Sequence, residues 1–169
     1  MKTVSKYCCV LFMILLLLNG CSSSQEKKKD AENMNKVISK YIIDHNKNAY
    51  VETEKQFEVH KIYGKTEKKG MVDVYMYSLY EGYNHETMAK PQSGGSRPVF
   101  IRLQKDGEKY KVIDYKEPKS GESFVTSIKK MFPSEYAKTT INDSDKAKDL
   151  QKMMEKKVNK WLSELKKVD

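Results

Sequence analysis

Cysteine is scarce in this chain and confined to one end. The 169 residues include three, Cys8, Cys9 and Cys21, and residues 22–169 contain none. That stretch therefore holds no disulfide, no CxxC redox pair and no thiolate metal site. Histidine is equally rare, and His45, His60 and His85 show no metal-ligand spacing. The eight glycines form neither a phosphate-cradling loop nor a nucleophile elbow. Long apolar runs are also missing. The longest, Cys8–Leu18, has 11 residues. As a helix it would rise about 16 Å, roughly half of a bilayer's hydrocarbon core, which disfavours a permanent span.

That run still has a meaning in context. Lys2 and Lys6 precede it with no acid between, and the small residues Gly20 and Cys21 follow it. Positive start, apolar core and small-residue end are the three parts of a secretory signal. Leu18-Asn19-Gly20-Cys21 resembles the lipobox of bacterial lipoproteins. Leu18 and Gly20 match its preferred residues, and Asn19 stands where Ala, Ser or Thr is more usual. The resemblance implies a signal peptide over residues 1–20, cleavage between Gly20 and Cys21, and a lipid carrying palmitate-type acyl chains on Cys21. It also implies a location on the extracytoplasmic face of the cell membrane. Two acyl chains give stable anchoring where one is marginal. An exported domain without disulfides, rich in lysine, leans towards a Gram-positive envelope.

Charge points the same way. The chain has 32 basic and 23 acidic side chains, and loss of residues 1–20 would leave 30 and 23. The excess favours anionic partners such as lipid headgroups or wall polymers. Export argues against nucleic acid. The expected partners are the membrane itself, through Cys21, and an envelope protein or anionic envelope component.

Residues 21–30 read as the lipidated cysteine and a flexible tether, and 31–169 as one domain. Met34, Val37, Ile38, Tyr41, Ile42 and His45 recur at helical spacing, predicting a helix from Ala31 to about Asn48. Four strands are predicted over 51–63, 71–80, 99–105 and 108–115, with Gly82–Pro98 as a long loop. Asp106-Gly107 is a two-residue hairpin signal. A short helix over 122–131 ends at Phe132-Pro133, and a connector leads to a long C-terminal helix. Its lysines and its Met/Leu/Trp stripe fit either a helix lying on an anionic membrane or one packed on the domain. The fold class is α+β: an N-terminal helix, a four-stranded antiparallel meander, a short helix and a long C-terminal helix. The order is similar to cystatin-like and NTF2-like modules, in which a curved sheet wraps a helix.

Strand alternation divides the sheet into two faces. Phe57, Val59, Val72, Val74, Met76, Val99, Ile101, Leu103, Tyr110 and Val112 form the expected core face. His60, Asp73, Tyr75, Tyr77, Phe100, Arg102, Ile113 and Tyr115 form the other. Of these, His60, Asp73, Tyr75, Tyr77, Arg102 and Tyr115 are the candidate ligand face, since aromatic walls with a few polar tips suit small ligands. No catalytic residue, metal or cofactor is assigned. Asp114–Pro118, Gly121–Ser123 and Met131–Pro133 are similar to a segment of extracytoplasmic parts of BlaR/MecR-type sensors, which implies an envelope-exposed module. The expected function is non-enzymatic binding from a membrane anchor. The alternative is a ligand-binding or enzymatic NTF2-like domain using the tyrosine-rich face.

Overall fold

The apolar stripe predicted for the first helix forms, but the helix that carries it is longer. A computed structural model describes residues 19–167, with side chains from residue 24. The predicted signal segment up to Leu18 lies outside the described residues. Helix α1 spans Asn19–Asn46. Gly20 and Cys21 fall in its first turn, and the segment 21–30, expected as a flexible tether, is helical backbone. The tether expectation is corrected for a simple reason. Ser22–Asp30 lacks apolar residues but also lacks Gly and Pro, and its Glu, Gln and Lys are good helix formers. Extending a packed helix costs far less than nucleating one. Asp30 lies inside the helix and accepts from Tyr110 Oη at 2.8 Å and Lys105 Nζ at 3.0 Å.

Four antiparallel strands follow in the order β1-β2-β3-β4: β1 Lys55–Lys68, β2 Met71–Tyr83, β3 Ser93–Asp106 and β4 Lys109–Lys116. The meander is as predicted, but β2 and β3 are longer, β1 is shifted towards the turn at Lys69-Gly70, and β4 moves by one residue. Lys69 and Gly70 turn β1 into β2, both at positive φ (51° and 73°), the backbone of a type I′ hairpin. The long loop expected over 82–98 shrinks to residues 84–92, because β2 and β3 pair as far as Gly82 and Ser93. Gly94 and Gly95 enter the strand because the space is taken: a Cβ there would run into the Tyr80 carbonyl and the Tyr50 hydroxyl. The remaining loop is tied down. Glu54 accepts from the His85 amide (2.9 Å) and contacts its Nδ1 (2.7 Å).

Helix α2 (Phe124–Met131) matches the predicted short helix and ends at Phe132-Pro133. The expected connector is instead a further helix, α3 (Ser134–Asn142), which buries Ala137 and Thr140. Helix α4 (Lys146–Leu165) is the long C-terminal one.

The sheet has a core on each face. On one, Met34, Ile38 and Ile42 of α1 pack on Val72, Val74, Met76, Val99, Ile101 and Leu103. On the other, Leu150, Met154 and Val158 of α4 pack on Val59 and Tyr83, while Ile128 of α2, Ala137 of α3 and Phe132 between them pack on Tyr75 and Phe100. The centre of the α4 stripe is therefore covered by the sheet, while Met153 and Leu165 stay exposed. Trp161 meets Phe57 with ring centroids 5.9 Å apart. Among the described residues, no helix is long and apolar enough to cross a membrane.

Ile38 and Leu150 are both fully buried, on opposite faces. Ile38→Ala and Leu150→Ala should each cost about 2–5 kcal/mol in urea unfolding, and nearly add in the double variant. A cost below about 1 kcal/mol for Leu150→Ala would mean that α4 does not pack on the sheet in solution.

Candidate functional site

The six residues of the expected ligand face do not share one face. Asp73, Tyr75, Tyr77 and Arg102 lie together on the side of α2–α4, whereas His60 and Tyr115 lie under α1. Two irregularities decide this. In β1, Glu58, His60 and Ile62 pair with Tyr80, Ser78 and Met76, on the α1 side. Phe57 and Val59, expected on that side, face α4 instead. In β4 a bulge opposite Arg102 and Leu103 places Tyr115 beside Ile101 and under α1, where its ring meets His45 (4.5 Å) and Tyr41 (5.4 Å).

The tyrosine-rich face is covered rather than open. Tyr75 is buried against Phe132 and Tyr136. Tyr77 lies under α4, with Lys146 Nζ 5.5 Å from its ring centroid. What stays open is one groove at the β3–β4 side, of about 500 Å³, lined by Asp73, Phe100, Arg102, Lys116, Lys119 and Lys130 among others. Phe100 forms an aromatic floor. The Arg102 guanidinium and the Lys116 ammonium stand 5.7 and 5.2 Å from its ring centroid, within cation–π range. Arg102 is held in place by a two-point contact with Asp73 (2.6 and 2.8 Å), and Lys116 is paired with Asp114 (2.8 Å). The exposed Lys119 and Lys130 have no ion-pair partner among the described residues. Sequence alternation found Asp73, Tyr75, Phe100 and Arg102. It missed Lys119 and Lys130, which come from beyond the sheet and meet it only after the chain folds back.

A second polar centre was also missed. Glu58 is fully buried on the α1 face. Its carboxylate accepts from Ser39 Oγ (2.6 Å) and Ser78 Oγ (2.7 Å) and lies 3.1 Å from His60 Nδ1. His60 Nε2 faces Asn35 Oδ1 at 3.1 Å. Both ring nitrogens thus lie within hydrogen-bond distance of side-chain oxygens. Lys157 reaches across from α4 to donate to the Glu58 carbonyl (2.7 Å). A shallow groove of about 390 Å³ runs past Asn35, Ser39, His60, Met153 and Lys157. The carboxylate itself does not open into it, and both serine hydroxyls are turned towards Glu58. This centre joins α1, β1, β2 and α4 rather than presenting a nucleophile.

Burial by itself pushes the Glu58 carboxyl up. The His60 charge and the hydrogen bonds from His60, Ser39 and Ser78 outweigh burial and hold it below its ordinary value. Across the described residues, no buried polar side-chain atom lacks a partner, and no group of three or more His, Cys, Asp or Glu is disposed to hold a metal.

With its carboxyl lowered in the fold, Glu58 contributes stability that is full above its ordinary value of 4.5 and lost as pH falls through the lower folded value. Glu58→Gln should therefore flatten the loss of urea stability between neutral and acid pH, and equal slopes in the two proteins would contradict this. His60→Leu strands a buried carboxylate and should cost about 3–5 kcal/mol at neutral pH.

Comparison with known proteins finds no family model, no curated protein and no solved structure that matches this chain.

Proposed function

We propose that this chain is a lipid-anchored protein of the extracytoplasmic membrane face, whose domain binds an anionic envelope component and carries out no reaction. The anchor reading rests on Leu18-Asn19-Gly20-Cys21 behind the apolar run. The observation that carries the binding reading is the Phe100 groove. It gathers four cationic side chains, Arg102 and Lys116 within cation–π range of the buried Phe100 ring and Lys119 and Lys130 along its rim without ion-pair partners among the described residues, on a face otherwise closed by helices. Such a site favours a ligand with a negative charge and an apolar or sugar-like body that can lie on the ring. Acid–base chemistry has little support there. The two carboxylates of the groove are engaged, Asp73 by Arg102 and Glu117 by Arg97 and Tyr115. His60, the histidine of the expected face, lies across the sheet.

Cys21→Ala should abolish acylation and release or mislocalise the protein on membrane fractionation. Unchanged retention with an uncut signal would refute the anchor. For the groove, glycerol phosphate should shift the NMR signals of Phe100, Arg102 and Lys116 saturably. In Lys119→Glu/Lys130→Glu its affinity should fall by about ten-fold, from the loss of two charge-assisted contacts. Shifts that do not saturate, or that survive the charge reversal unchanged, would refute the groove as the binding site.

A further inference from the structure

The end of the domain where α1 begins is electrically unlike the other end. There the N-terminal half of α1 meets the β3–β4 hairpin, whose strand β3 is bonded in turn to the tip of the β1–β2 hairpin. Lys29 pairs with Glu108 (2.9 Å), Asp30 holds Lys105 (3.0 Å), and the Lys105 amide donates to the Gly70 carbonyl (2.7 Å). Segments 26–30, 65–70 and 105–109 carry eight lysines against five acids. Lys29 and Lys105 are used in these ion pairs. The other six, Lys27, Lys28, Lys65, Lys68, Lys69 and Lys109, are exposed and have no ion-pair partner among the described residues. The connections towards the opposite end, 47–54, 84–92 and 117–122, together with 160–167 at the end of α4, carry six lysines and six acids. A strand the length of β1, 14 residues, separates the two ends by about 45 Å.

We infer that this lysine collar is a membrane-docking face whose ligand is the headgroup layer of anionic phospholipid. The inference rests on the reading of Cys21 as the lipid anchor. Charge complementarity and position support it together. From Cys21 to Asp30 the chain is continuous helix, so the collar stands about 14 Å along a stiff rod from the anchored residue. A flexible tether of that length would let any face of the domain approach the bilayer. The helix, pinned to the β3–β4 hairpin at Lys29 and Asp30, presents this face and not the balanced one. Lysines attract an anionic leaflet only within about a Debye length, near 8 Å at physiological salt, and long flexible side chains at the hairpin tips bridge the remaining gap. The collar thus sets the tilt of a domain that the acyl chains alone would leave free. It turns the 84–92 loop towards whatever lies beyond the membrane.

The test uses the protein extracted from its own membranes and reconstituted into vesicles of phosphatidylcholine, alone or with phosphatidylglycerol. Amine labelling read by mass spectrometry reports each lysine. The reactivity of Lys65, Lys68, Lys69 and Lys109 should fall by about three-fold or more on the anionic vesicles and recover in high salt, with Lys160 and Lys166 unchanged. The variant Lys65→Gln/Lys68→Gln/Lys69→Gln/Lys109→Gln, all exposed positions, should lose the anionic-lipid protection that remains at Lys27 and Lys28. Equal labelling on both vesicles, or protection of Lys160 and Lys166 instead, would overturn the collar. The mass of the N-terminal fragment separately reports whether Cys21 is acylated. An unmodified cysteine overturns the anchor, while the labelling pattern still decides the collar, whatever holds the chain to the vesicle.

Discussion

A β-sheet that is apolar on both faces has to be covered twice, and that requirement shapes this domain. One face is sealed by α1 alone, through Met34, Ile38 and Ile42. The other needs α4 over β1 and β2 and the α2–α3 pair over Tyr75 and Phe100. Each fully buried Leu, Ile or Met contributes about 1.5–3 kcal/mol, and the two layers together fix the sheet between them. Functional surface is then whatever the two layers fail to cover. That is why the open groove sits towards β3 and β4, where α2 and α3 give out and Arg102, Lys116, Lys119 and Lys130 reach solvent.

The buried Glu58 centre extends the same logic to polar groups. A carboxylate between a helix and a sheet is tolerable only if every lone pair is engaged. Ser39 from α1, Ser78 from β2 and His60 from β1 supply the contacts, and Lys157 of α4 satisfies the edge-strand carbonyl at the same residue. The centre thus specifies how α1 and α4 sit about the edge strand, in a way that interchangeable apolar contacts would not. It also accounts for a histidine that resembled part of a ligand site when read from alternation alone.

Much of the architecture was legible from periodicity. The α1 and α4 stripes, the meander and the stop at Phe132-Pro133 each follow from local spacing and turn chemistry, which depend on neighbours a few residues away. What was not legible depended on distant partners. Residues 21–30 look like a tether until Lys29 and Asp30 meet the β3–β4 hairpin. The Ser93–Ser96 stretch looks like a loop until Tyr50 and Tyr80 fill the space that side chains would need. The stretch 134–142 looks like a connector until its Ala137 finds Tyr75 and Phe100.

The lipobox-like Leu18–Cys21, the cysteine-free chain behind it and the excess of lysine were properties of the sequence alone, because composition and short motifs need no fold to be read. The order of the helices and strands, α3 apart, was equally legible, since each of those elements has a local apolar period. Which residues face one another was decided only in three dimensions. Strand parity has a period of two, so the bulges in β1 and β4 move side chains from one face to the other, and no local signal marks them. That parity split His60 and Tyr115 from Asp73, Tyr75, Tyr77 and Arg102. The return of the chain through α2 then brought Lys119 and Lys130 to the groove, and the docking of α1 on the β3–β4 hairpin gathered the lysines at one end.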